Sequence, residues 1–219
     1  MREAYELRLV VWDASDVSAR DEMSGTSDVF VTVQPLGGTG DYEKMYTDTH
    51  PFSTGDAHFN WRMVWPVFLP EKQPRLFIQV WDWDLIGADD AIGEAQLNMK
   101  KLFDKALRRQ TKTSLERQRI EVTHPNYPGV QGCVYISLDI LPRAEAQQFP
   151  CGKKGREPPN ANPRLDPPIR PNFFDALGID LNVMNPFHNL RRKLIVCACC
   201  SVVCIIVLVV IALSAGVVR

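Results

Sequence analysis

The chain has 219 residues, enough for one ordinary domain and something smaller. Its 25 Lys and Arg stand against 26 Asp and Glu, leaving a net charge of −1 without the basic excess of a nucleic-acid binder. Residues 1–10 hold no apolar core of signal-peptide length, no GxSxG, HExxH or P-loop occurs, and His50, His58, His124 and His188 are isolated, which argues against an enzyme.

In chain order, Tyr5, Leu7, Leu9 and Val11 alternate with Glu6, Arg8, Val10 and Trp12, which predicts a first strand. A polar connection over 13–27 carries Asp16, Asp21, Glu22 and the turn Ser24-Gly25-Thr26. A Val-rich second strand follows over 29–33, stopped by Pro35 and the Gly37-Gly38 pair. Further strand-like runs lie at 44–49, 58–65, 75–81, 92–98, 118–123 and 133–141. Eight short strands divided by Gly, Pro, Asn and Asp turns indicate an all-β, antiparallel sandwich. Between the sixth and seventh, residues 99–117 read as a crossover helix. Met99, Leu102, Phe103, Ala106 and Leu107 recur at helical spacing, with Lys100, Lys101, Lys105, Arg108 and Arg109 around them. Contact of that basic surface with anionic lipid is a second, weaker reading.

The strand over 75–81 runs into Asp82, Asp84, Asp89 and Asp90, four carboxylates in nine residues. Asp82 and Asp84 are two apart and project to the same side as the chain leaves the strand. Such a loop is either a solvated turn whose aspartates cap backbone amides or a site for a hard cation such as calcium, which takes about 6–8 oxygen ligands.

After Pro142 the composition changes. Seven prolines between 150 and 171 predict an extended linker of up to about 3.1 Å per residue, with reach enough to present the domain to a second membrane. Phe173, Phe174, Leu177, Leu181 and Met184 outline a short amphipathic segment before Asn185-Pro186-Phe187. Residues 194–218 are 25 residues without a charge, rich in Val, Ile, Leu and Cys, which as a helix at about 1.5 Å per residue exceed the ~30 Å bilayer core. Arg191, Arg192 and Lys193 precede them and Arg219 alone follows, so the positive-inside bias places the N-terminal body in the cytosol. The expected division is a domain over 1–145, a Pro-rich and juxtamembrane segment over 146–193 and a transmembrane helix over 194–218. Cys133 and Cys151 are solitary, as suits a reducing compartment, and no pair of CxxC motifs offers a zinc site. Cys197, Cys199 and Cys200 are either palmitoylation sites or small packing residues of the anchor.

The stretch Glu22-Met23-Ser24-Gly25-Thr26-Ser27-Asp28, with the later Asp82-x-Asp84 and Asp90 before Ile92-Gly93, resembles the calcium loops of C2 domains. Phe59-Asn60-Trp61-Arg62, Trp65-Pro66, the run Arg156-Glu157-Pro158-Pro159-Asn160-Ala161-Asn162-Pro163-Arg164-Leu165 and Asn185-Pro186-Phe187 resemble the last C2 domain of the ferlins. The resemblance covers essentially the whole chain. It implies an eight-stranded sandwich of type II topology, with residues 132–141 supplying the strand that type I domains place first. It also implies calcium ligation by Glu22, Asp28, Asp82, Asp84 and Asp90, with Asp21 as a further candidate. Asp89 is then a solvent-facing neighbour. Two departures stand out: Glu22 occupies a position where the family uses aspartate, and ferlins carry several C2 domains where this chain has one.

The mechanism implied is physical. Calcium would turn a negative loop tip positive and attract anionic phospholipid, while Met23, Leu85 and Ile86 at the loop tips dip into the interface or pack within the loops. Two functions are carried forward. One is a tail-anchored protein of the plasma membrane or intracellular vesicles that binds phospholipid with calcium in vesicle trafficking, fusion or repair, with membrane-fusion proteins as partners. The other is a calcium-independent docking module at a membrane.

Overall fold

The computed structural model describes residues 2–19, 26–37, 40–84 and 88–170. Alternation in the first run becomes strand β1, Glu3–Ser15, with Tyr5, Leu7, Leu9 and Val11 buried. A bulge between Val11 and Asp13 shifts its phase, so that Ala14 is the next residue to turn inward. Strand β2, Ser27–Gly37, turns Val29, Val31 and Val33 into the core. It runs through Pro35, contrary to expectation. The Pro35 carbonyl accepts the Tyr42 N–H at 3.4 Å, so the proline nitrogen faces the same interrupted edge, where no ladder donor is needed.

Short strands β3 (Gly40–Asp41), β4 (Met45–Tyr46) and β5 (His50–Ser53) all pair with β2. The long strands β6 (Ala57–Leu69), β7 (Arg75–Asp82) and β8 (Asp90–Asn98) follow. Helix α1, Lys100–Arg109, stops at Gln110 in the left-handed conformation, φ 55°. The helix is therefore shorter than its periodicity suggested. Residues from Thr113 begin β9, Thr113–His124, which turns back into β10, Tyr127–Pro142.

The path β6-β1-β10-β9-β8-β7-β2-β3 is one antiparallel sheet that curls back on itself. Its two halves are joined between β8 and β9 by the pair Glu94 and Thr123. The last long strand lies beside the first, with Tyr5 opposite Pro142 and Ser15 opposite Cys133. One core fills the curl. Leu7, Leu9, Phe59, Met63, Trp65, Ile136 and Ile140 from one half meet Val31, Leu76, Ile78, Val80 and Ile92 from the other. Trp65 is 1% exposed, and its indole N–H donates to the Glu43 carbonyl at 2.7 Å. Among the described residues there are eleven strands rather than eight. Each expected run holds one, and the additions β3, β5 and β11 (Lys154–Gly155) are two to four residues long.

The larger correction concerns the Pro-rich stretch. Residues 143–170 are not a free tether: they form a strap on the outer face of β6 and β1, inside the compact unit Met1–Pro171. Helix α2, Arg143–Gln148, buries Ala146, whose carbonyl accepts Arg8 Nη2 at 3.3 Å. β11 pairs with β6, and Gly155 sits at φ 58° where a Cβ would meet the Trp61 ring at 3.0 Å. Arg156 Nη1 donates to the Phe59 and Asn60 carbonyls at 3.1 and 3.4 Å while its guanidinium lies 5.4 Å from the Trp61 ring centre. Asn160 closes a small loop, accepting the Leu165 N–H and donating to the Leu165 carbonyl, with Leu165 itself buried. Proline has no N–H, but its carbonyl still accepts: Pro150, Pro159 and Pro163 take bonds from Asn162, Gly152 and Arg62. Among the described residues no helix is long and apolar enough to cross a membrane. The expected span over 194–218 and the juxtamembrane segment over 171–193 lie outside the described residues.

Candidate functional site at the acidic loops

The inward row of β7 is Leu76, Ile78 and Val80, all fully buried, and it ends in Asp82, 4% exposed. β2 flanks β7 on one side with Val29 opposite Asp82, and β8 flanks it on the other with Asp90 opposite Asp82. Three neighbouring strand ends thus deliver Asp28, Asp82 and Asp90 to one rim, with Asp84 two residues beyond Asp82. The register that aligns the core also aligns the carboxylates.

Backbone amides hold this rim together. The Asp28 N–H donates to Asp82 Oδ1 at 2.6 Å, and the Phe52 N–H donates to Asp28 Oδ1 at 2.8 Å. The Trp83 N–H reaches the Asp28 carbonyl at 2.9 Å. Across the loop, the Asp84 N–H donates to Asp89 Oδ1 at 3.2 Å, so exposed Asp89 acts as a turn cap. Among the described residues no three His, Cys, Asp or Glu side chains stand in a metal-holding group. Asp28 and Asp82 each turn an oxygen to a backbone amide, and Asp90 stands exposed. An all-carboxylate donor set suits a hard cation, yet a full shell of about 6–8 oxygens needs the two adjoining loops as well. Asp21, Glu22 and Met23 of one loop, and Leu85 and Ile86 of the other, lie outside the described residues.

Sequence reading passed over Trp83. It is 43% exposed between Asp82 and Asp84, a large aromatic at the rim whose alternation with buried Asp82 was the available signal. Sequence reading also passed over the cluster behind β5. His50 pairs with Val29, is 3% exposed, and packs edge-on against Phe59 at 6.3 Å. Asp48 Oδ2 meets Arg156 Nη2 at 3.7 Å and also binds Arg170, so the middle and the last residue of the strap converge on one carboxylate. Burial raises the Asp48 pKa in spite of both arginines. Burial, followed by the charges of Arg170 and His58, holds His50 below its ordinary 6.5 and keeps it neutral.

The sign of the His50 effect follows by linkage. Below about pH 6.5 the unfolded chain takes a proton that folded His50 refuses, so stability falls as pH drops through that window. The raised Asp48 pKa acts in the opposite sense. Thermal melts between pH 7.5 and 5.5 should show a falling midpoint for the natural chain and a flatter profile for His50→Gln. Parallel profiles would remove His50 as the cause.

Comparison with known proteins gives a consistent picture. The profile of the C2 domain family matches residues 5–114. Ferlin 1 of Toxoplasma gondii is 36% identical over 165 residues, covering 74% of this chain and 11% of that protein. Ferlin 2 of Tetrahymena thermophila is 34% identical over 171 residues, covering 75% and 10%. Myoferlin of Mus musculus is 31% identical over 219 residues, covering 76% and 10%. The chain therefore spans about a tenth of the length of the curated relatives it matches. Among solved structures, a C2 domain of plant extended synaptotagmin 1 aligns with a TM-score of 0.49 at 18% identity, over 65% of this chain and 98% of that one.

Proposed function

The chain belongs to the C2 domain family and its domain is of the ferlin kind, and from that premise we propose that it binds anionic phospholipid in a calcium-dependent way at the acidic rim. The observation that supports this most is the convergence of Asp28, Asp82 and Asp90 at the ends of three adjacent strands. Asp28, Asp82, Asp84 and Asp90 would hold calcium, with Glu22 or Asp21 completing the set from the first loop. Bound there, the ion supplies positive charge and open positions for headgroup oxygens. The chain does the rest. The amides of Asp28 and Phe52 fix the two inner carboxylates before any ion arrives. Trp83 is exposed at the rim, and Met23, Leu85 and Ile86 would add apolar side chains for the lipid interface.

Residues 194–218 serve in this reading as the membrane anchor, with the domain on the cytosolic side of the plasma membrane or of vesicles. The biological setting is vesicle trafficking, fusion or repair, with membrane-fusion proteins as partners. The competing function, calcium-independent docking, draws on the amide bonds that already occupy Asp28 and Asp82.

Co-sedimentation of residues 1–171 with phosphatidylserine vesicles separates the two. The expected result is tighter binding in calcium than in chelator, with Asp84→Asn abolishing the difference. Leu85→Ala with Ile86→Ala should weaken binding most at high salt, because insertion is not screened over the ~8–10 Å Debye length as charge is. Vesicle binding that ignores calcium, or none alongside capture of cytosolic proteins, favours docking.

A further inference from the structure

We propose that the end of the domain remote from the acidic rim is a second, calcium-independent contact for an anionic lipid surface, built on α1. The helix carries five basic residues and one acidic residue in ten. Its orientation is fixed from below. Phe103 and Ala106 are buried, Met99 is 2% exposed, and Leu102 and Leu107 pack against the core from partly buried positions. That seating leaves Lys100, Lys101, Arg108 and Arg109 exposed. The helix cannot roll to hide them without pulling Phe103 from the core.

Neighbouring elements extend the charge. The Met99 N–H donates to the Pro74 carbonyl at 3.0 Å, which holds the β6–β7 turn against the start of α1. Exposed Lys72 and Arg75 stand on either side of that carbonyl. Arg2, Lys72 and Lys100 line one open groove of ≈ 570 Å³ with Pro70 and Glu71. The carboxylates here are few and engaged. Asp104 pairs with Lys100 at 3.5 Å, Glu71 is 5% exposed with Oε1 on the Lys72 N–H, and Glu3 accepts from Gln110. Six cationic side chains, at Lys72, Arg75, Lys100, Lys101, Arg108 and Arg109, are thus presented on one end.

Distance makes this end independent of the rim. Asp90 opens β8 and Asn98 closes it just before α1, so nine residues at about 3.3 Å each, roughly 30 Å, separate the two. That exceeds a Debye length of about 8–10 Å several-fold, so neither end neutralises the other. A lipid surface fits better than an acidic peptide. The charges sit at the tips of long side chains on an outward-facing helix and turn, and the groove among them is open rather than enclosed. Laterally mobile headgroups can match any such spacing. The inference stands whether or not the rim binds calcium.

The test uses the full chain carried in phosphatidylcholine nanodiscs and vesicles of phosphatidylcholine and phosphatidylserine in a three-to-one ratio, in excess chelator. The natural chain should co-float with these vesicles, and rising salt should release it. Lys101→Glu with Arg108→Glu and Arg109→Glu should lower the affinity at least tenfold. The excess chelator removes any calcium contribution of the rim, and Arg164→Glu, at an exposed basic residue of the strap, should leave the affinity unchanged. A Gln version of the triple variant, checked for an unchanged melting midpoint, guards against misfolding and should lose several-fold. Undiminished flotation of the charge variants overturns the proposal. So does natural chain that binds RNA or an acidic peptide but not the vesicles.

Discussion

Ending the chain at Pro142 instead of Pro171 should lower the melting midpoint by about 10 °C or more. For a domain of this size each kcal/mol moves the midpoint by about 2–4 °C, so the expected loss is roughly 3–5 kcal/mol. The strap seats Leu165 and Ala146 at 2% and 5% exposure, and its short strand pairs with Arg62 and Met63 of β6. Arg156 contributes most among its polar contacts: two carbonyl bonds, the Trp61 ring and the Asp48 carboxylate. Arg156→Ala alone should cost about 2–3 kcal/mol, since bonds to a charged group contribute roughly 1.5–3 kcal/mol. Arg62 opposes this gain. It is fully buried, its Nη2 is bound to the Pro163 carbonyl, and its Nε and Nη1 have no partner among the described residues. Burial accordingly lowers its pKa. Arg62→Met in the strapped chain should therefore be neutral or stabilising. Equal midpoints for the chains ending at 142 and 171, measured by calorimetry, would show the strap to be a passenger.

The second large effect separates two roles of Asp82. Its Oδ1 accepts the Asp28 N–H from a position 4% exposed, so the side chain holds β2 to β7 at the rim. Asp82→Ala removes that acceptor and should cost about 1–3 kcal/mol in urea unfolding. Asp82→Asn keeps an oxygen acceptor in the same place and relieves repulsion from Asp84 and Asp90, so its metal-free stability should stay near the natural value. Alanine and asparagine variants of equal stability would mean that the bond contributes nothing to the fold. The amide variant is thus the clean one for removing charge without disturbing the strands.

The residues that were legible in the sequence share one property: they lie in long elements with a period. Leu76, Ile78 and Val80 announced the strand that carries Asp82, and Met99, Phe103 and Ala106 announced α1. The strap was hidden because its bonds run from side chains to carbonyls. Arg156, Asn160 and Asn162 take the place that a ladder of N–H groups would fill elsewhere, and such bonds leave no periodic trace. Strands of two residues, such as β3 and β11, are hidden for a related reason, since alternation needs length. At the rim, acidic spacing singled out Asp82, Asp84 and Asp90, and the register sets Asp90 opposite Asp82. It could not show that Asp82 and Asp28 are also tied into the backbone, because those bonds depend on the pairing of β2 with β7 and on Phe52.

Calcium titration by calorimetry on residues 1–171, run in parallel with Asp82→Asn/Asp84→Asn, tests the central claim most directly. The account predicts saturable binding heat for the natural sequence and a melting midpoint that rises with calcium, since an ion bound only by the folded state stabilises it. The double variant should show neither while keeping its metal-free midpoint. Absence of heat in the natural sequence, or an identical response in the variant, would contradict calcium binding at the rim formed by Asp28, Asp82, Asp84 and Asp90.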